Sequence, residues 1–408
     1  MAYQFIEGSV TAAKGFQASG IHCGIRKNKS KRDIALIYSE VKCTAGAVYT
    51  TNLVQSSPIT VTKKHLSDGY AQAVIVNSGN ANACNADGIE KAEMMCRLTA
   101  EKLGISAEDV IVGSTGVIGQ ILPIEPIANG MTQLAGELSD SPEGGTNAAE
   151  AIMTTDTVKK EVAVETEIDG KMIKIGGISK GSGMIHPNMA TMLCFITTDA
   201  AISAEMIQKA VKTAADCTFN MVSVDGDTST NDTLAVMASG LAGNTEITCE
   251  NEDYGKFVEA LTAVCRELSK LMAKDGEGAT KLLVCKVNGA KTDKDAKGIA
   301  KSVICSSLLK AAMFGADANW GRVLCAIGYS GCDVDVNKVD VSFASKAGKI
   351  DVCKNGAGID FSEETAKKIL VEDEIDILVE LNSGESYAEA YGCDLTYEYV
   401  KINGDYRT

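Results

Sequence analysis

Thr191 stands where Lys180-Gly181-Ser182-Gly183-Met184-Ile185-His186-Pro187-Asn188-Met189-Ala190 runs into the apolar Met192-Leu193-Cys194-Phe195-Ile196. A buried strand needs no glycine-rich approach. Gly181 and Gly183 reach backbone conformations closed to other residues and let the chain come close to a reacting carbonyl. A threonine hydroxyl is a weak nucleophile until a base takes its proton, and one such base is the threonine's own α-amino group. That amine is free only if the chain is cut between Ala190 and Thr191. With a reference pKa of about 7.7–8.0 it would be partly neutral near neutral pH. On the residues alone, Thr191 also fits an ordinary strand threonine. His186 offers a second base beside the cut, although a histidine next to Pro187 also suits a plain backbone hydrogen bond.

An acyl-transfer site needs, besides a nucleophile and a base, donors aimed at the oxyanion of the tetrahedral intermediate. Gly113-Ser-Thr-Gly-Val-Ile-Gly119 could converge backbone N–H groups, but by itself it fits a glycine turn and lacks the phosphate-loop pattern. Glu277, within Lys274-Asp-Gly-Glu-Gly-Ala-Thr-Lys281, reads by composition as part of a solvated acidic turn. Asp225-Gly-Asp-Thr-Ser-Thr-Asn-Asp232 fails as a calcium loop, because Thr230 stands where glycine is needed and Val236 where glutamate is needed. Trp320 and Arg322 suit packing and bracing, not reaction.

The elements that must position these groups alternate between strand-like and helix-like. Ala73–Val76 reads as a buried strand leading into a loop over 77–88 and a helix with Ala92, Met95, Cys96, Thr99 and Leu103 on one face. A longer amphipathic helix follows Asn251, with Phe257, Leu261, Val264, Cys265, Leu268, Leu271 and Met272 as its apolar stripe. Asp169-Gly170 predicts a two-residue hairpin between 161–168 and 171–176, because both turn positions tolerate positive φ. Period-two alternation predicts strands over 375–381 and 395–403. The fold class expected is α/β or α+β.

A formal charge of −15 over 408 residues argues against a nucleic-acid partner. The short basic run Lys27–Arg32 reads as a solvated turn. The N-terminus lacks the pattern of a secretory signal and no long apolar run suggests a membrane span, so a cytoplasmic protein is expected. The 14 cysteines include no Cys-x-x-Cys spacing, so free core thiols are expected and zinc-ribbon readings fail.

Seven segments in order, 76–84, 113–119, 153–157, 180–192, 225–232, 314–322 and 403–408, resemble motifs of the ornithine acetyltransferase (glutamate N-acetyltransferase) family of arginine biosynthesis. Two departures, Ala318 where the family pattern has Pro and Gly404 where Ala is usual, touch no reacting group. The resemblance implies helices layered around central sheets, and self-cleavage between Ala190 and Thr191 into chains 1–190 and 191–408. These stay associated as a tetramer of two alpha and two beta chains. It makes Thr191 the nucleophile and its freed amine the base, which leaves His186 outside the catalytic set, and it places the oxyanion hole at Thr115 and Gly116. N2-acetylornithine is the implied donor and glutamate the acceptor. Lys180 is the cation expected to hold an α-carboxylate, and Glu277 the acceptor for the ornithine side-chain ammonium. Thr154 or Thr157, Asn403 and Thr408 complete the implied substrate contacts. No metal or cofactor is implied, and acetyl-CoA stays open as a second donor. An autoprocessed N-terminal-nucleophile peptidase or amidase would use the same threonine and let water resolve the acyl-enzyme. A non-catalytic binding protein on the same scaffold is the other alternative.

Overall fold

A computed structural model describes residues 3–186 and 192–404. The described chain divides into two compact units, each assembled from segments far apart in sequence: 3–181, 192–219 and 228–268 in the first, and 182–186, 220–227 and 269–404 in the second. The expected division at Ala190–Thr191 falls outside the described residues.

The first unit is built on a nine-stranded mixed sheet. Its spine is the long strand Ile34–Tyr49, which pairs with Tyr70–Asn80 along one edge and with Phe16–Ile21 and Thr233–Ala238 in succession along the other. Beyond Tyr70–Asn80 lies the parallel Val110–Val117, and beyond Thr233–Ala238 lies the parallel Leu193–Thr198. The expected hairpin is present: Lys160–Ile168 and Lys171–Lys180 pair in register through Asp169 and Gly170, both at positive φ. Its second strand runs past Gly176 to Lys180, so the strand itself delivers the start of the glycine-rich stretch. The helix Pro142–Ile152 begins at Ser141, whose hydroxyl accepts the N–H of Gly144, with Pro142 in its first turn. It buries Ala148, Ala149, Ala151 and Ile152 in the core beside Ala18 and Ile37. Ser78 donates to the carbonyl of Ala151 at 2.6 Å, tying the helix end to the sheet.

The second unit is built on a seven-stranded mixed sheet whose centre is Leu282–Ala290 between Glu374–Glu380 and Ser386–Cys393. The helix Asp293–Cys305 packs on this centre and buries Ala296, Ile299, Ala300, Val303 and Ile304. The long helix Glu252–Lys274, which belongs to the first unit as far as Leu268, carries the predicted stripe, with Phe257, Leu261, Val264, Cys265, Leu268 and Met272 fully buried. Helices layered on sheets in both units make the chain mixed α/β. All 14 cysteines are free thiols.

One expected strand is corrected. Residues 395–403 do not extend a sheet, and Tyr397–Gly404 is a helix. The hydroxyl of Thr396 accepts the N–H of Tyr399 at 3.4 Å and donates to the carbonyl of Gly278 at 2.7 Å. It therefore acts as a helix cap, which alternation of apolar residues cannot reveal. Tyr397 and Val400 are 83% and 68% exposed, so the apolar positions that suggested a strand bury no sheet face.

Candidate active site

In the first unit, Thr115 and Gly116 end the strand Val110–Val117, where its pairing with Tyr70–Asn80 slips and Asn80 opposes both Thr115 and Val117. Such an irregularity bends a strand and re-aims its side chains. Gly116 has φ +133°, and a methyl there would stand 2.3 Å from the carbonyl carbon of Gly79, so the position requires glycine. A buried amide network holds this strand end. Ser114 donates to Asn77 at 2.6 Å, Asn77 donates to the carbonyl of Asn80 at 2.9 Å, and Asn231 donates to the carbonyls of Ala81 and Ser114 at 2.6 and 2.8 Å.

Lys180, buried at the end of its strand, donates to the hydroxyl of Thr115 at 3.2 Å. Burial pushes its ammonium pKa down, opposed by the negative charge of Asp156. Asp156 organises the adjoining loop: its carboxylate accepts from the Lys160 ammonium and the Gly181 N–H, both at 2.7 Å, and from the Thr154 N–H at 2.8 Å. Burial works against the charged carboxyl, but Lys160 and Lys180 and these hydrogen bonds outweigh it and hold the group well below the usual carboxylate range. Lys180 thus touches Thr115, which Gly116 follows, and lies with Thr154 beside the buried Asp156 carboxylate, while Thr157 is exposed at the loop's edge.

In the second unit, Glu277 is buried, and Asn403 donates to its carboxylate at 2.7 Å. Its N–H donates to the carbonyl of Ser182 at 2.8 Å. The carboxylate presses on Gly183, where a methyl would stand 2.3 Å from the carboxyl carbon. The composition-based picture of a solvated acidic turn therefore does not hold for Glu277. Asp225 accepts the N–H groups of Met184 and Ile185 at 2.6 and 2.8 Å and the Tyr399 hydroxyl at 3.2 Å, fixing the chain just before His186. His186 Nδ1 lies 3.1 Å from the Ser223 hydroxyl and 3.5 Å from the Cys305 sulfur. Burial first, then the nearby charge of Lys301, lowers its pKa to about 4, so the ring is neutral near pH 7. Ala190, Thr191 and Thr408 lie outside the described residues.

Asp156, Lys160 and Asn231 were missed as organisers of the site. The first and third sit inside family-like segments, yet their partners are remote in sequence. Among the described residues, no group of three or more His, Cys, Asp or Glu is placed to hold a metal ion, and no helix is long and apolar enough to cross a membrane.

Comparison with known proteins defines the class as an acetyltransferase of arginine biosynthesis. The ArgJ family model matches residues 17–408, and the chain belongs to that family. It is 50% identical over 406 residues to the arginine biosynthesis bifunctional protein ArgJ of Caldanaerobacter subterraneus subsp. tengcongensis, covering 99% of this chain and 100% of that protein. It is 51% identical over 402 residues to the arginine biosynthesis bifunctional protein ArgJ 1 of Clostridium acetobutylicum, covering 98% of each. A crystal structure of ornithine acetyltransferase complexed with ornithine, from Mycobacterium tuberculosis, is 33% identical over 47% of this chain and 100% of that one, with a TM-score of 0.42.

Proposed function

We propose that this acetyltransferase moves the acetyl group of N2-acetylornithine to glutamate through an acetyl ester on Thr191. Thr191 Oγ first attacks the carbonyl of Ala190. The Ala190–Thr191 C–N bond breaks, which frees the Thr191 amine and leaves an ester, and water hydrolyses that ester to the Ala190 carboxylate and the Thr191 hydroxyl. The hydroxyl then attacks the donor's acetyl carbonyl, the amine takes its proton and passes it to the leaving nitrogen, and ornithine departs. The glutamate amine attacks the Thr191 ester by the reverse route. Thr115 and Gly116 stabilise the oxyanion in both half-reactions. Lys180 holds an α-carboxylate, with Thr154 or Thr157 beside it. Glu277, positioned by Asn403, takes the distal ammonium of ornithine, and Thr408 completes the substrate contacts.

The observation that carries this reading is the buried pairing of Lys180 with Thr115, on the strand that leads into the glycine-rich approach to Thr191. A buried amine costs free energy unless it serves a charge, and a substrate carboxylate is such a charge. No metal or prosthetic group takes part. Acetyl-CoA is the second donor to glutamate, a reading that fits the bifunctional name of the relatives. The working form is a cytoplasmic tetramer of two 1–190 and two 191–408 chains.

Initial rates with purified protein, N2-acetylornithine and glutamate test the reading. Acetylglutamate and ornithine should form together, with parallel lines in double-reciprocal plots. Acetate released at the same rate without glutamate would favour the hydrolase.

A further inference from the structure

We propose that a basic cleft in the first unit binds the phosphate groups of acetyl-CoA, and so is the donor subsite for a second acetyl source. This rests on the reading above that an acetyl-Thr191 enzyme forms. The cleft has a volume of about 790 Å³ and is lined by Arg26, Lys29, Lys31, Arg32 and Lys159, with Glu150 the only carboxylate among its described lining residues. In a chain with a formal charge of −15, such a concentration of cations is a local departure that favours a polyanion.

The loop that carries the cations is built, not loose. Asp33, fully buried, accepts the N–H groups of Cys23, Gly24 and Arg26 at 2.7, 3.2 and 3.0 Å. His22 bonds across the loop to the carbonyl of Lys31 at 2.9 Å. Asn28 accepts from the N–H and hydroxyl of Ser30 at 3.0 and 2.7 Å. Glu150 is already engaged by Arg32 at 3.2 Å, and Lys159 by Glu161 at 2.9 Å. The ammonium groups of Lys29 and Lys31 meet no carboxylate among the described residues, so their charge is available to a ligand. The basic run that reads in sequence as a solvated turn forms one wall of this cleft.

One lining residue ties the cleft to the chemistry. Thr157 lines it and follows directly on Asp156, whose carboxylate accepts the N–H of Gly181 beside Lys180. N2-acetylornithine carries no phosphate and has no use for such a wall. Acetyl-CoA carries a diphosphate and a 3′-phosphate on a long flexible arm ending in the thioester. In the transfer step the thioester C–S bond breaks as the acetyl carbon bonds to Thr191 Oγ, and the hydroxyl proton leaves with the thiol.

Steady-state kinetics of the doubly substituted Lys29→Ala/Lys31→Ala protein test the assignment. The KM for acetyl-CoA should rise about 10-fold or more, as expected for losing charge-assisted contacts to phosphate, with the KM for N2-acetylornithine unchanged. Adenosine 3′-phosphate 5′-diphosphate, which lacks the thioester arm, should compete with acetyl-CoA in the unsubstituted enzyme. An unchanged KM for acetyl-CoA, an equal rise for both donors, or no competition by this fragment would overturn the proposal. So would an enzyme active with N2-acetylornithine and inert with acetyl-CoA. Failure with N2-acetylornithine itself would instead strike the underlying reading.

Discussion

Lys180 and Thr115, 65 residues apart in sequence, meet at 3.2 Å through ammonium and hydroxyl. In the sheet four strands lie between Lys171–Lys180, which Lys180 ends, and Val110–Val117, near whose end Thr115 stands, so the contact joins the ends of strands that are not neighbours. Thr115→Ala should therefore lower kcat for acetyl transfer by about 10²–10³, the usual loss when one oxyanion donor is removed, and slow self-cleavage as well. Thr115→Ser should restore most of the rate. A Thr115→Ala protein with a lower melting temperature and intact kinetics would make this residue structural.

Glu277→Gln should weaken use of N2-acetylornithine roughly 10- to 150-fold in kcat/KM, corresponding to about 1.5–3 kcal/mol for a charge-assisted contact, while leaving the chain cut at Ala190–Thr191. N-acetylnorvaline, which lacks the distal amine, should show a much smaller loss. Gly183→Ala should produce the same selective defect, because its methyl would occupy the position of the Glu277 carboxyl. Equal losses with both donors would remove Glu277 from ammonium recognition.

Asp156→Asn should destabilise the fold by about 3–5 kcal/mol in urea titrations, because Lys160 loses its carboxylate while remaining fully buried. The folded-state pKa of Asp156 lies below its ordinary value of 3.8, so its contribution is fully present above that value and is lost as pH falls below it. Unfolding free energies measured from pH 5 downward should fall more steeply for the native protein than for the variant. Parallel curves would contradict this.

The pH–rate profile separates two candidate bases. With His186 held at about 4, its charge does not change near neutrality. The rate should instead rise through the pKa of the Thr191 amine, near about 7.7–8.0 if unshifted, as the neutral form accumulates. His186→Gln should keep that profile. Loss of the limb in this variant would make His186 the base.

Local features were the most legible in the sequence. Asp169-Gly170 dictates its own turn, and the stripe from Phe257 to Met272 dictates a helix, because turn chemistry and helical spacing act over a few residues. Misreading occurred where distant partners decide the outcome. Thr396 caps a helix while bonding Gly278, against the alternation of its neighbours. Asp156 gains its role from Gly181, 25 residues on, and Asn231 from Ser114, 117 residues back. Glu277 reads as solvated by composition because its partner Asn403 stands 126 residues away. The family-like segments were recognisable, but their spacing did not show that the asparagines of 76–84 form a scaffold for the strand end at Thr115.

Denaturing mass spectrometry of the purified protein, before and after incubation with N2-acetylornithine in the absence of glutamate, reads both the cut and the acetyl-enzyme. Two species are expected, residues 1–190 and 191–408, with a gain of one acetyl group on the second, located at Thr191 and discharged when glutamate is added. A single uncut 408-residue chain with full transferase activity would contradict this, as would rapid turnover with no acetyl group on Thr191.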